Sequence, residues 1–318
     1  MTVLVLSDDC DPTTDALVDA LHNRDVPVFR CDTAWFPQRL ALNANLGDDG
    51  WRGELSTDIR SVGLEAIRAI WYRSPTAFDL PEGMSAAERR HAAFEAKFGV
   101  GGVLWSLPAL WVNHPARQAD LYKPRQLAVA RACGLATPRT LVTNCADAVL
   151  RFARDLPGPL VVKPLGFASI VQEGERRPLW THVLSAGELS DLRGIDATAH
   201  LFQQFIDKAY DVRLTVVGTQ MFAVSIHVGS ASAKADLRSD YDAVSFRVTE
   251  VPRFVTAAAN TFMRRFGLTF GAFDFAVDNA GRWWFLECNP GGQYGFVEQA
   301  TGLPITASLA DVLEKGVA

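Results

Sequence analysis

Two carboxylates and one amide near the C-terminal end of the chain have side chains suited to binding a metal ion. Asp274 lies in the segment FGAFDFAV, and Glu287 and Asn289 lie in the segment RWWFLECN. Both segments are rich in strand-forming residues and are separated by the turn-forming sequence DNAG, so we predict a β-hairpin. If the hairpin is symmetric about its turn, Asp274 lies opposite Phe285 and shares a face with Phe285, Glu287 and Asn289.

A set of oxygen donors without His or Cys suits Mg²⁺ or Mn²⁺ better than Zn²⁺. Cys288 is expected to point to the other face of the hairpin. The alternative is an acidic face in contact with solvent. Against it, the apolar run WWFL indicates that the strand is not freely exposed, and burial of an unpaired carboxylate is costly. The spacing alone leaves both interpretations open, because a slipped register would separate the three groups.

Cationic side chains in other segments, together with these oxygen donors, form a set of residues typical of a phosphoryl-transfer site. Lys163 is the one charged residue of the strand LVVKPL, and Lys123 lies where LYKP interrupts a helical pattern. Arg213 shares a face of the strand DVRLTVV with Asp211, and Arg247 lies in FRVTEVP. In phosphoryl transfer the protein mainly positions groups and neutralises charge. The chain has no G-x-x-x-x-G-K-[ST] sequence, so separated lysines rather than a P-loop would hold the phosphates.

Composition narrows the class of protein. A chain of 318 residues, 48% of them hydrophobic, is long enough for two or three folding units. Acidic residues outnumber basic residues by 36 to 31, and the net charge of −5 disfavours a general nucleic-acid-binding protein. We expect neither a signal peptide nor a membrane span, because every apolar run is too short. Five scattered cysteines without a CxxC pair predict a reduced, cytoplasmic protein.

The N-terminal part alternates strand and helix. TVLVLS is predicted as a strand, residues 12–24 as a helix and VPVFRCD as a second strand. A dinucleotide-binding unit begins in the same way, but the turn SDD lacks its glycines and would repel a pyrophosphate. We therefore interpret this part as a structural α/β layer, with Asp32 as a loop residue. Ser85 and Glu88 form a capping box that predicts a helix to about residue 107.

Strands and helices continue through the rest of the chain. LVVKPL, LFQQFI, DVRLTVV and MFAVSIHV are predicted as strands, and a helix is predicted between Pro252 and Gly267. Thr143 or Asn144 is predicted to cap another helix. The small and polar residues 229–242 predict a mobile loop.

The order of these motifs resembles the ATP-grasp superfamily: Lys123, VVKP with Lys163, QQFI, DVR, DFAVD and FLECNPGG. Within it, the chain is similar to the graspetide synthetases, the microviridin-type omega-ester peptide macrocyclases. That similarity rests on WYRSP, WVNHPARQADLYKPRQLAVARACGLATPRTLVTN and WWFLECNPGGQYGFVEQATGLPI. The resemblance implies an α/β protein of the α+β ATP-grasp type. Its domains would be a pre-ATP-grasp α/β domain over 1–110, a central subdomain over 111–199 and a C-terminal subdomain over 200–318. The nucleotide would lie between the last two.

The resemblance also implies a nucleotide site. Lys123 and Lys163 would hold the phosphates of ATP, and Asp211 would reach the ribose hydroxyls. The hinge would meet the adenine edge with its backbone groups and consists of Gln203, Gln204, Phe205 and Ile206. Apart from the resemblance, an ordinary helix-end lysine is the less favoured alternative for Lys123, whereas a pair with Lys208 is an equally good interpretation of Asp211.

A metal site and two catalytic arginines follow from the same resemblance. Asp274, Glu287 and Asn289 would bind two Mg²⁺ ions, for which Mn²⁺ could substitute. Arg213 and Arg247 would contact the γ-phosphate or the acyl phosphate formed from it. For Arg247, a surface arginine on a strand is an equally good interpretation, because nothing local to its segment fixes its direction.

The implied reaction is the activation of a side-chain carboxylate by ATP. A Ser or Thr hydroxyl, or a Lys amine, would then displace phosphate and close a ring in a ribosomally made precursor peptide. Such a peptide, with a leader segment and an acidic core, is the expected partner, and a homo-oligomer is the expected assembly. The alternatives are a ligase of amino acids or small peptides, like glutathione synthetase or D-alanine ligase, and a nucleotide-binding protein without turnover.

Overall fold

The computed structural model describes residues 1–166, 169–172, 175–228 and 244–316. The mobile loop predicted at 229–242 therefore falls outside the described residues. In the part that is described, no helix is long and apolar enough to cross a membrane.

Helices make up a large part of the described chain. The α-helices are α1 (Pro12–His22), α2 (Ala86–Trp105), α3 (Pro115–Ala119), α4 (Lys123–Ala132), α5 (Ala146–Arg154), α6 (Ala186–Ser190), α7 (Arg253–Phe266), α8 (Gly295–Thr301) and α9 (Ile305–Lys315). Short 3-10 helices span Thr33–Trp35, Leu64–Ala66 and Ile195–Ala197.

Strands alternate with these helices. The first ten are β1 (Thr2–Ser7), β2 (Val28–Cys31), β3 (Ala41–Gly47), β4 (Gly50–Ser56), β5 (Ser61–Gly63), β6 (Ile67–Ser74), β7 (Leu110–Val112), β8 (Thr140–Thr143), β9 (Leu160–Lys163) and β10 (Ser169–Gln172). The others are β11 (Glu175–Pro178), β12 (His182–Val183), β13 (His200–Gln204), β14 (Lys208–Val217), β15 (Gln220–Val228), β16 (Val244–Val248), β17 (Phe270–Asp278) and β18 (Trp283–Asn289).

The front of the chain is the predicted α/β layer. Strands β2, β1, β6 and β7 form a parallel sheet in that order, and β3, β4 and β5 form a separate antiparallel sheet. The predicted capping box is present at the start of α2, with hydrogen bonds between Ser85 and Glu88 in both directions. Asp32 is buried, and its carboxylate accepts hydrogen bonds from the N–H groups of Ala34 and Thr76, so its role is structural.

The middle of the chain forms a small antiparallel sheet with the strand order β12-β9-β13-β8. Val149 of α5 packs with Leu160 and Phe202 of this sheet in a core of its own. The predicted cap of α5 is wrong by one or two residues, because Cys145 is the N-cap and makes no side-chain capping bond. Thr143 instead accepts a hydrogen bond from the N–H of Cys145.

The C-terminal part forms the largest sheet, with the strand order β16-β15-β14-β17-β18, all antiparallel. One face packs against α4 and α7 through an aromatic cluster that includes Phe262, Phe273 and Phe285. Part of the other face shares a core with the front sheet and α9, in which Ala272 packs near Trp71 and Leu309. The polar remainder of that face carries the candidate site.

The edge strand β18 is covered by the segment that begins with α4. The N–H of Cys288 donates to the side-chain oxygen Oε1 of Gln126 at 2.7 Å, and the N–H of Phe285 donates to the carbonyl of Ala136 at 2.7 Å. These bonds satisfy donors that an exposed edge would leave open to other chains. They also hold α4, and with it Lys123, at a fixed distance from the strand that carries Glu287 and Asn289.

Candidate active site

The register of the hairpin differs from the symmetric one. Phe275 pairs with Phe285, but Asp274 pairs with Glu287, so a β-bulge places Leu286 as an extra residue on β18. The prediction that Asp274 lies opposite Phe285 is therefore wrong, and Phe285 points into the core on the other face. The bulge restores the alternation beyond it, so Glu287 and Asn289 still share a face with Asp274.

The three predicted metal ligands form one hydrogen-bonded cluster. The amide nitrogen Nδ2 of Asn289 lies 3.2 Å from Oδ2 of Asp274 and 3.4 Å from Oε1 of Glu287. Cys288 is buried on the opposite face, as predicted. This donor set fits a hard cation, because rotation of the amide would turn a third oxygen toward the two carboxylates.

Each carboxylate of the cluster is paired with a cation from another element. Nζ of Lys123 lies 3.2 Å from Oε2 of Glu287 and donates to the carbonyl of Pro164 at 2.9 Å. Nη1 of Arg213 lies 3.1 Å from Oδ1 of Asp274, which faces it across β14 and β17. Burial acts to raise the pKa of Glu287, but the charge and hydrogen bond of Lys123 outweigh it and lower the pKa.

Lys163 is the most perturbed cation of the site. Burial lowers the pKa of its ammonium group from 10.5 to about 8, although the negative charge of Glu287 acts in the opposite direction. The positive charges of Lys123 and Lys208 lower the pKa further. A phosphate placed beside Lys163 would supply the negative charge that its present surroundings do not fully provide.

A small cavity lies between Lys163 and the predicted hinge, and we call it the hinge cavity. It is lined by Val161, Lys163, Thr181, Gln204, Phe205, Ile206, Lys208, Ala276 and Leu286. Three of the four predicted hinge residues line it, and the bulge residue Leu286 forms part of its apolar wall. Its walls are mostly apolar, with lysines at one end, but its volume is only about 40 Å³, so a purine would enter only after the surrounding segments move apart.

Two details of the hinge differ from expectation. Gln203 is buried and donates to Oγ1 of Thr140 at 3.0 Å, so its side chain supports the sheet and does not reach the cavity. The N–H groups of Gln204 and Phe205 donate to the carbonyls of Arg139 and Pro159 within the fold. These two N–H groups are therefore already used and are not available to an adenine edge.

Asp211 has the partner that the sequence offered as the alternative to a ribose. Nζ of Lys208 lies 2.6 Å from Oδ2 of Asp211, and both side chains are about nine-tenths buried. Of this pair, Lys208 lines the hinge cavity and forms part of its polar wall.

A larger cavity of about 670 Å³ opens on the other side of Asp274, and we call it the large cavity. It is lined by Arg73, Gln118, Arg213, Ile226, Val244, Phe246, Asp274, Asn289, Pro290, Gly291, Gly292, Gln293 and Phe296. Asp274 and Asn289 thus face this cavity, whereas Lys163 faces the hinge cavity. The cluster of Asp274, Glu287 and Asn289 lies between two cavities of different chemistry.

Sequence reasoning missed the residues that tie the front sheet to this site. Arg73 is buried, its Nε lies 3.1 Å from Oδ2 of Asp11, and its Nη1 donates to the carbonyl of Gly291. Asn113 is buried and makes four side-chain hydrogen bonds, to Thr269 N, Phe270 N, Phe270 O and Pro290 O. Arg73 and Asn113 lie in WYRSP and WVNHP, two of the segments that carry the family resemblance. A polar residue within an apolar strand, for Arg73, or directly after one, for Asn113, is the signal that could have identified them.

Arg247 does not join the cluster. It lies opposite Ser225 on β15, which in turn lies opposite Val212 on β14, and Val212 points into the aromatic core. Arg213 belongs to the other face, because it is in register with Val224 and Asp274. Residues directly opposite each other share a face, so the sheet separates Arg247 from the site.

Comparisons with known proteins agree with this architecture. Residues 2–119 match the family of the MvdD pre-ATP grasp domain. The macrocyclase MdnC of Microcystis aeruginosa MRC, solved with the precursor peptide MdnA, is 27% identical, with a TM-score of 0.86 over 99% of this chain and 100% of MdnC. No curated protein matches the chain.

Two further solved structures are similar along the whole chain. The Chryseobacterium gregarium RiPP-associated ATP-grasp ligase, in complex with ADP and a leader and core peptide, is 25% identical, with a TM-score of 0.89 over 100% of this chain and 97% of that one. The ATP-grasp ligase PsnB, complexed with a phosphomimetic variant of minimal precursor, Mg and ADP, is 25% identical. Its TM-score is 0.77, over 99% of this chain and 98% of PsnB. The predicted fold, an ATP-grasp ligase preceded by a pre-ATP-grasp domain, is confirmed.

Proposed function

We propose that this protein, an ATP-grasp ligase related to the RiPP macrocyclases, forms side-chain ester or amide crosslinks in a ribosomally made precursor peptide. ATP would phosphorylate an Asp or Glu side chain of the peptide, and a hydroxyl or amine of the same peptide would displace the phosphate. The products are a ring, ADP and inorganic phosphate.

The position of the Asp274–Glu287–Asn289 cluster between the two cavities carries this proposal. The hinge cavity has lysines at one end and would open to admit the nucleotide, and the large cavity has the volume and the two arginines needed for a carboxylate-bearing substrate. Phosphoryl transfer from ATP to a carboxylate requires both substrates to meet at one charged cluster, and this arrangement provides the meeting point.

The residues of the chain have separate tasks in the proposed reaction. Lys163 and Lys123 bind the phosphates from the side of the hinge cavity, and burial keeps the charge of Lys163 poorly solvated until a phosphate arrives. Arg213 holds the acyl phosphate from the side of the large cavity. Release of Asp274 from Arg213 accompanies this step, because one guanidinium cannot neutralise both anions equally.

Asp274, Glu287 and Asn289 would hold Mg²⁺, in our proposal two ions, with Mn²⁺ able to substitute. The cation would supply charge neutralisation for the transferred phosphoryl group. The presence of Mg and ADP together in the structure of PsnB supports this assignment.

The proposal also includes the domain boundaries of the protein, its oligomeric state and its location in the cell. We retain domains at 1–110, 111–199 and 200–318, although β7 (Leu110–Val112) spans the first boundary. The exposed and stacked rings of Phe94 and Phe98 on α2 support a homo-oligomer. All five cysteines are free, which supports a cytoplasmic location.

The test is mass spectrometry of a precursor peptide encoded beside the gene. Incubation with the protein, ATP and Mg²⁺ should lower the peptide mass by one water per bond formed. Mild base should open ester bonds and leave amide bonds intact. Peptides whose Asp and Glu residues are changed to Asn and Gln should stay unmodified, since they cannot form an acyl phosphate. An unmodified wild-type peptide, together with efficient ligation of free amino acids, would refute the proposal.

A further inference from the structure

A third cavity of about 380 Å³ lies behind the catalytic hairpin, and we call it the arginine cavity. It is lined by Arg131, Gly134, Leu135, Ala136, Thr137, Phe254, Arg282 and Trp283. No residue of the proposed nucleotide, metal or acyl-phosphate site lines it. Its volume is within the range that holds a small ligand or a few side chains of a peptide.

The charge of this cavity is unusual for the protein. Arg131 and Arg282 both line it, and in the described ranges neither lies within salt-bridge distance of a carboxylate. The carboxylate of Asp278 is nevertheless close enough to Arg282 for that charge to help lower its pKa, so Asp278 offsets part of the positive charge. Arg264 and Arg265 add to the positive charge close by. Burial raises the pKa of the Cys133 thiol, which adjoins the cavity wall at Gly134, and the charges of both arginines act against that rise. On a chain with a net charge of −5, such a concentration of arginines favours binding of an anion.

Apolar surface accompanies these charges. Phe254 is 57% exposed at the cavity, and Trp283 forms part of the wall. Arg282 also lies over the ring of Trp284, with 4.2 Å from Cζ to the ring centroid, which orients its guanidinium. A ligand that matches all of these features has a carboxylate beside an aliphatic or aromatic group, as an acidic peptide segment does.

The location of the cavity connects it to the proposed reaction. Arg131 follows Lys123 by eight residues in α4, which corresponds to about 12 Å along the helix axis. Arg282 and Trp283 belong to the hairpin that carries Asp274 and Glu287. An extended peptide covers about 3.3 Å per residue, so about four of its residues would span the same distance.

We propose that the arginine cavity is a second, non-catalytic binding site for an acidic segment of the peptide substrate. The proposal rests on the proposed function, in which the peptide has an acidic core. A carboxylate of that core that is not being activated can pair with Arg131 and Arg282, away from the phosphoryl-transfer cluster. A polyanion such as a nucleic acid shares the negative charge but lacks the apolar groups that Phe254 and Trp283 accommodate.

The test measures binding of a short fluorescein-labelled peptide of alternating Glu and Leu by anisotropy, on the full-length protein. The double variant Arg131→Gln/Arg282→Gln should bind it about tenfold more weakly than the unmodified protein. The matched control is Arg151→Gln/Arg154→Gln, which removes the same charge from the exposed side of α5 and should change binding less than about twofold. Equal weakening in both pairs, or none in the first, would overturn the proposal.

Two further binding measurements test whether the charge of the arginines is what matters and whether the ligand is a peptide. Arg131→Lys/Arg282→Lys keeps the charge and should retain most of the affinity, provided that thermal unfolding shows each variant to be folded. A labelled single-stranded oligonucleotide that binds with the same dependence on Arg131 and Arg282 would overturn the assignment to a peptide.

Failure of this proposal can be distinguished from failure of the proposed crosslinking function. If crosslinking occurs, the Gln double variant should raise KM for the precursor peptide and leave kcat unchanged, because the site binds without touching the reacting atoms. If no crosslinking occurs even with the unmodified protein, the proposed function fails, whereas the anisotropy comparison still decides whether the cavity binds an acidic peptide.

Discussion

Asp274 lies directly opposite Glu287 across β17 and β18, and each of the two carboxylates is paired with a cation from a different element. Like charges in this position repel each other, so the pairing holds only because Lys123 and Arg213 neutralise them. Both carboxylates therefore depend on Lys123 and Arg213 for charge neutralisation, and a bound phosphate would compete for these two cations. A divalent cation would then take over the neutralisation.

Loss of either carboxylate should abolish turnover while the fold persists. Glu287→Gln and Asp274→Asn should each lower the rate of ADP formation by at least about a hundredfold, because a metal ligand is lost where phosphoryl transfer develops charge. The control is Asp278→Asn, which changes a carboxylate in the turn of the same hairpin. It should lower thermal stability, since Asp278 bonds Trp284 and the turn backbone, but spare the rate. Near-normal rates in Glu287→Gln would show that the hairpin is not the metal site.

Lys163 should contribute to nucleotide affinity in a pH-dependent way. Lys163→Met should weaken ADP binding by about tenfold or more in calorimetry, whereas Lys97→Met, on the exposed face of α2, should have no effect. As the pH rises through about 8, the free protein loses the charge of Lys163, so its affinity for ADP should fall. The affinity of Lys163→Met should not follow this trend. The same pH profile in both proteins would assign the titration to another group.

The same substitution should stabilise the ligand-free protein. The folded state releases the Lys163 proton near pH 8, but an unfolded chain keeps it up to about pH 10.5. Between these values the unfolded state binds more protons, so the free energy of unfolding rises with pH. Below pH 8 the full cost of burying the charge is present. Lys163→Met should therefore raise Tm by about 2–4 °C at pH 7, and the gain should shrink from pH 8 upward. A lower Tm for the variant at pH 7 would contradict this.

The two predicted catalytic arginines should behave differently. Arg213→Ala should reduce crosslinking at least about tenfold, because Arg213 faces the large cavity and pairs with Asp274. Arg247→Ala should change the rate by less than about twofold, because the sheet separates that side chain from the site. The two variants serve as each other's control in one peptide assay. A large loss of activity in Arg247→Ala would show that it reaches the site by another route.

Asn113 should matter for stability more than its small size suggests. Asn113→Ala removes the partners of the buried backbone groups of Phe270 and of half-buried ones of Thr269 and Pro290, and we expect a loss of about 2–4 kcal/mol in the free energy of unfolding. Asn45→Ala, at an exposed position of β3, should lose less than about 0.5 kcal/mol. Urea unfolding of both variants measures the difference, and equal midpoints would show that the four bonds contribute nothing.

Much of the site could be predicted because strand periodicity and residue chemistry coincide in the hairpin. Glu287 and Asn289 are two residues apart, so they share a face in any regular register, and the alternation also placed Cys288 in the core. The partner of Asp274 could not be predicted in this way. A single bulge at Leu286 changes the register, and a bulge has no reliable mark in an apolar run such as WWFLE.

Other features depended on contacts that are distant in sequence. The direction of Arg247 follows from its pairing with Ser225, which lies 22 residues earlier in the chain, and local sequence does not determine such a pairing. The partner of Asp211 was one of two alternatives, and only the three-dimensional arrangement chose Lys208. Arg73 and Asn113 act on residues more than a hundred and fifty positions away, so no local pattern predicts their partners.

The bonds of Asn113 and Gln118 bear on the construction of chimeric enzymes. Gln118 donates to the carbonyls of Tyr72 and Asn113, and Asn113 in turn binds both ends of the β17–β18 hairpin. If residues 1–110 are exchanged between two enzymes, the transplanted sheet loses its own Asn113 and Gln118 and must pack against the corresponding residues of the other enzyme. Exchange after residue 119 would transplant Asn113 and Gln118 together with the N-terminal sheet. In hybrids joined there, these residues should keep their bonds to that sheet and hold the hairpin in its position.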